Sequence, residues 1–106
     1  MRRFDLREMT GGWFIGNFLP TAVQSEDFEV TVRKYISGDR EQRHFQLSAT
    51  EVTVIIEGRA RMGDQLLNAN DIIVLEPLES YDFEALTNVT LVAVKFPSIP
   101  NDKVLD

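Results

Sequence analysis

Short β-branched runs recur along the whole chain, each closed by a glycine, a proline or an Asn/Asp turn, and no stretch holds a helical period long enough for a helix. The spacing of turn residues, one cluster every ~8 to 12 positions, predicts about eight or nine short strands and an all-β sandwich or barrel. The clearest strands are Phe28 to Ile36 (FEVTVRKYI), Glu51 to Glu57 (EVTVIIE), Tyr81 to Ala85 and Val89 to Phe96. A hairpin is predicted for residues 59 to 67, with Gly63-Asp64 supplying the positive φ of its turn. Asn70-Asp71 precedes the strand IIVL, which Glu76-Pro77 ends because proline cannot donate to the ladder. Arg2 to Met9 alternates loosely and reads as an edge strand, Ser37 to Arg43 as a loop, and the two-proline tail as extended chain. In the aromatic segment from Trp13 to Leu19, Gly16 marks a bulge or a close backbone approach, and the aromatics read as core or dimer contacts.

Parity divides Phe28 to Ile36 into an apolar set (Phe28, Val30, Val32, Ile36, with Lys34) and a polar set (Glu29, Thr31, Arg33, Tyr35). In a closed barrel the polar set can line a cavity instead of facing solvent, and parity alone does not choose between the two.

One glycine-bracketed stretch, GDREQRHFQLSATEVTVIIEG, concentrates the chemistry. It contains the only histidine, His44, with Gly38 before it and Gln46, Glu51 and Gly58 after. His44 and Gln46 share parity and so point to the same side of their strand.

At 106 residues the chain has the length of one domain. With no cysteine, disulfides, thiolate metal sites and cysteine nucleophiles drop out together. Net charge is −6, from 17 acidic against 11 scattered basic residues, which argues against a nucleic-acid partner. No apolar run has signal-peptide or membrane-span length, so a cytoplasmic protein is expected. Asn88-Val89-Thr90 matches a glycosylation sequon and reads as a turn entering a strand.

The spacing of Gly38, His44, Glu51 and Gly58 resembles the first motif of the cupin superfamily, G-x5-HxH-x3,4-E-x6-G, with Gln46 where the second histidine usually stands. The second motif, GD-x4-PPG-x2-H, resembles Asn70 to Tyr81, with Asp71 and Pro77 matching and Tyr81 in place of the third histidine. GWFIGNF near the start and VAVKFPSIPNDKV near the end look like a subgroup of small single-domain cupins of uncharacterised function. The resemblance implies a small β-barrel, a jelly-roll-like double-stranded β-helix, with its core about residues 28–96 and the N-terminal strands and C-terminal tail packing on it.

In metal cupins three histidines and a glutamate converge inside the barrel. The resemblance therefore offers His44, Gln46 and Glu51 as residues for a divalent metal (Fe, Mn, Ni or Zn), with two imidazoles of the usual set replaced. It also offers a metal-free polar cavity in which Arg33, Tyr35, His44, Gln46, Glu51 and Tyr81 bind a small polar molecule such as a sugar or an organic acid. A strongly anionic ligand would need Arg33 or Arg61 to reach that cavity.

An enzyme is the alternative. Without metal it would be epimerase-like, with His44 as base and Tyr81 as acid facing each other across a ligand-sized gap; with metal it would be dioxygenase- or isomerase-like. A structural role with a vestigial site is the third reading. A homodimer through apolar outer strands is compatible with all three.

Overall fold

A computed structural model describes all residues, 1–106, as two facing sheets. In chain order the strands are β1 (Trp13–Gly16), β2 (Val23–Gln24), β3 (Glu29–Tyr35), β4 (Arg40–Gln46), β5 (Thr50–Glu57) and β6 (Ala60–Met62). They continue with β7 (Gln65–Leu67), β8 (Ile72–Leu75), β9 (Tyr81–Ala85), β10 (Val89–Phe96) and β11 (Lys103–Leu105). One sheet runs β2-β1-β3-β10-β5-β8 and the other β11-β4-β9-β6-β7. Every pairing between β3, β10, β5 and β8 is antiparallel, and the two sheets close over a shared interior. No helix is long and apolar enough to cross a membrane.

The polar set of β3 faces inward. Glu29, Thr31, Arg33 and Tyr35 line the interior, while Val30 and Val32 lie on the outer face. The same inversion holds on β5, where Glu51, Thr53 and Ile55 are buried and Val52, Val54 and Ile56 face out. The apolar core fills one end of the barrel, where Ile55, Ala60, Leu67, Ala85 and Val89 pack with Ile73 against them; Met62, Tyr81, Phe83, Leu91 and Ala93 of the same cluster continue into the lining of the cavity. Polar side chains are left to line the other end.

The motif glycines work differently. Gly38 has φ +94° with open space around it, so its turn requires the backbone angle alone. Gly58 has φ +91°, and a Cβ there would collide with the Asn88 carbonyl oxygen, so close approach excludes any side chain as well.

Two expectations change. Residues 2 to 9 form no strand: the Asp5 side chain accepts from the Arg7 backbone N–H at 2.8 Å and folds Leu6–Glu8 into a single 3-10 turn. Phe4, Leu6 and Met9 then share a hollow with Phe14, Ala22 and Val32 on the outer side of β1 and β3. The loop after Gly38 is shorter than expected, because β4 already begins at Arg40. The tail is extended as expected, and its end is held as a strand: β11 pairs antiparallel with β4, and the buried Asp102 carboxylate accepts from the Ser48 and Ala49 backbone N–H groups at 3.0 and 2.9 Å.

Candidate functional site

The open end of the barrel holds a cavity of about 340 Å³. Its long wall is the inner face of β3, β10 and β5, whose register sets side chains in rows. Glu29, Lys95 and Glu51 form one row, Thr31, Ala93 and Thr53 the next, and Arg33, Leu91 and Ile55 the third. The middle row makes the room: three short side chains stand side by side where longer ones would meet the opposite sheet. That opposite sheet contributes Glu41, His44, Tyr81, Phe83 and Lys103, and Trp13, Phe18 and Leu19 stand at the mouth.

His44 and Tyr81 are register partners on β4 and β9. Their rings touch, with centroids 4.4 Å apart and planes tilted by 56°. The ligand-sized gap expected between them is absent, because adjacent strands hold both rings on one wall. The Tyr81 hydroxyl donates to Glu51 Oε2 at 2.6 Å, across the barrel. Burial, then the Glu51 charge, pushes the Tyr81 hydroxyl well above the usual phenol range, so it remains a neutral donor. His44 Nδ1 lies 2.8 Å from the Gln42 carbonyl oxygen, which can only accept, so Nδ1 carries the proton and Nε2 keeps its lone pair. Burial lowers the His44 pKa below its ordinary value; the Gln42 carbonyl opposes this shift and Lys103 reinforces it.

Arg33 reaches the cavity. Its guanidinium lies 5.1 Å from the centre of the Tyr35 ring and 3.4 Å from Glu41. Tyr35 packs on Phe83 at 4.6 Å, and burial followed by the Glu41 charge raises its hydroxyl pKa. Arg61 stays on the outer surface, paired with Asp82 at 3.0 Å and Glu84 at 3.5 Å.

Five of the six expected ligand residues, Arg33, Tyr35, His44, Glu51 and Tyr81, therefore line one cavity, and Gln46 does not. Gln46 is buried next to it, and its Nε2 has no hydrogen-bond partner. Sequence reasoning missed Glu41, Lys95 and Lys103. Glu41 and His44 face the same interior despite opposite parity, because the β4–β9 register shifts between Glu41 and His44 and adds a residue to β4. Lys95 shares parity with Leu91 and Ala93, so the β10 pattern could have found it.

The donors do not fit a divalent metal. The cavity offers one imidazole, and each of its three carboxylates is engaged: Glu29 accepts from Ser98, Glu41 faces Arg33, and one oxygen of Glu51 accepts from the Tyr81 hydroxyl. No group of three or more His, Cys, Asp or Glu side chains is placed to hold an ion. At the third-histidine position of the cupin motif, the Tyr81 hydroxyl supplies the positive end of a dipole to Glu51 where a metal would supply charge.

No family model and no curated protein matches the chain. Among solved structures, it is similar to an uncharacterised conserved protein with a double-stranded β-helix domain from Klebsiella pneumoniae, at TM-score 0.72 and 20% identity, covering 98% of this chain and 90% of that one. It is also similar to KdgF from a Halomonas species, at TM-score 0.64 and 13% identity over 73% of this chain and 74% of that one. An RmlC-like cupin from Desulfovibrio desulfuricans is similar at TM-score 0.63 and 17% identity, over 71% and 76%. At these identities the likeness establishes the fold, a double-stranded β-helix of cupin type.

Proposed function

We propose that this cupin-fold barrel binds a small polar organic molecule in its open end. The observation that carries the reading is the division of the interior: one end is filled with apolar side chains, while the other keeps a cavity of about 340 Å³ walled by ionisable and aromatic groups. A vestigial barrel would be expected to fill that space with apolar side chains, because buried charge is costly unless it serves a partner. The volume lies at the small end of the ~300–1,000 Å³ range of small-molecule pockets.

Thermal shift and calorimetry with sugars, organic acids and amino compounds test the reading. A ligand at a hundred times its Kd adds about 2.7 kcal/mol, or about 10 °C in Tm for a domain of this length. Ala93→Leu, which fills the middle row, should abolish the shift. No response from any chemical class, or a response unchanged in Ala93→Leu, would sink the proposal.

A second reading, acid–base chemistry on the bound molecule, is favoured by the free Nε2 of a neutral His44 beside the Tyr81–Glu51 hydrogen bond. In this reading His44 Nε2 accepts a proton from a ligand C–H and returns it to the same face, while the Tyr81 hydroxyl, committed to Glu51, holds its ring against the imidazole. Exchange of ligand C–H hydrogen for deuterium in heavy water, lost in His44→Gln, is its test.

A further inference from the structure

Three carboxylates and three cations line the cavity, but their partnerships are unequal. Every carboxylate has an internal partner. Glu51 accepts from the Tyr81 hydroxyl at 2.6 Å, Glu29 accepts from the Ser98 hydroxyl at 2.8 Å, and Glu41 faces Arg33 at 3.4 Å. Among the cations only Arg33 has a carboxylate within ion-pair distance. Lys95 stands between Glu29 and Glu51 in its row, yet its ammonium lies over the Trp13 ring, 4.9 Å from the centre, and pairs with neither. Lys103, on β11 beside Gln46, also lines the cavity and pairs with no carboxylate. The unspent capacity of the site is therefore cationic, in a chain whose net charge is −6.

Two neutral groups complete the set. His44 Nε2 is an acceptor left free by the Nδ1 hydrogen bond. The Thr53 hydroxyl lines the cavity with no internal bond, whereas the Thr31 hydroxyl donates to the Gly11 carbonyl at 2.8 Å. A ligand matching these groups brings negative charge to the two lysines and a hydroxyl that can donate to His44 and accept from Thr53. The flanking Glu29 and Glu51 disfavour a doubly charged group next to Lys95.

We propose that the ligand is a small hydroxylated monocarboxylic acid whose carboxylate is held by Lys95 and Lys103 and whose hydroxyl meets His44 and Thr53. This rests on the cavity being a binding site, as argued above.

Calorimetry at low salt with glycerate and gluconate, their uncharged counterparts glycerol and glucose, and inorganic phosphate tests it on the wild-type chain. The hydroxy acids should bind at least tenfold more tightly than both the uncharged compounds and phosphate. Lys95→Met and Lys103→Met should each weaken the acids about tenfold. Lys103 is exposed, so its variant tests the site without endangering the fold. The inference is overturned if glucose or glycerol binds as tightly as the acids, if phosphate binds more tightly, if both lysine variants keep wild-type affinity, or if neither acid binds at 10 mM. In the first three cases, binding lost in Ala93→Leu still supports a cavity ligand of other chemistry. Silence across sugars, acids and amino compounds alike, or binding unchanged in Ala93→Leu, removes both ideas.

Discussion

The chemistry of the site turns on single replacements within a recognisable spacing. Tyr81 and Gln46 stand where the cupin motifs usually carry histidine, and Tyr81 spends its hydroxyl on Glu51. The expected consequence is that Ni or Zn leaves the wild-type Tm unchanged, whereas Tyr81→His, which sets a second imidazole beside His44 and frees both Glu51 oxygens, gains a metal-dependent Tm rise and bound metal by elemental analysis. A comparable rise in the wild type would overturn the reading of the donor set. His44 also makes stability depend on pH. Its folded pKa lies below the unfolded value of 6.5, so the unfolded chain takes up the proton first as pH falls. Its contribution is complete above about pH 6.5 and declines below it. Glu41, Glu51, Tyr81 and Lys103 surround the ring. The urea midpoint should therefore drop between pH 7.5 and 5.5, and His44→Gln should flatten the slope. At this scale the sequence was readable where residues obey motif spacing, as with His44, Glu51 and Tyr81. It was unreadable at Glu41, because the extra residue in β4 breaks the parity on which such reading depends.

Whole strands were easier to read than their ends or their facing. Tyr81 to Ala85 and Val89 to Phe96 coincide with β9 and β10, because β-branched content and flanking turns agree there. The first nine residues were misread because one short hydrogen bond, Asp5 to the Arg7 N–H, outweighs a loose alternation. The tail is extended as read, but what docks it is nonlocal. Asp102 finds its donors, Ser48 and Ala49, more than fifty positions away in the β4–β5 turn, and nothing in the local sequence signals that. Asp102→Ala leaves those N–H groups without their acceptor and should cost about 2 to 3 kcal/mol in urea unfolding. Asp102→Asn keeps one acceptor oxygen and should recover part of that loss. Release of the β11 edge would also displace Lys103, so ligand affinity should fall with stability in the alanine variant.

Across the whole molecule, turning the polar face of β3 inward leaves aliphatic side chains outside. Val32, Val92, Val54 and Ile72 form one register row, and Val30, Val94, Val52 and Val74 the next, across four strands without a charged side chain. Ile72 and Val74 are 64% and 53% exposed. Such a face predicts self-association, sheet against sheet. Sedimentation equilibrium should show a dimer at micromolar concentration, converted to monomer by Val54→Glu or Val94→Lys. A wild-type monomer at 100 μM would refute it. The two-ended interior has a different consequence, in time rather than in space. Amides around Ile55, Ala85 and Val89, set in the apolar end, should exchange with deuterium only through global unfolding, while those near Trp13, Phe18 and Lys103 exchange through local opening. The barrel then breathes from its cavity end, and a ligand gains access through fluctuations that the packed end never shares.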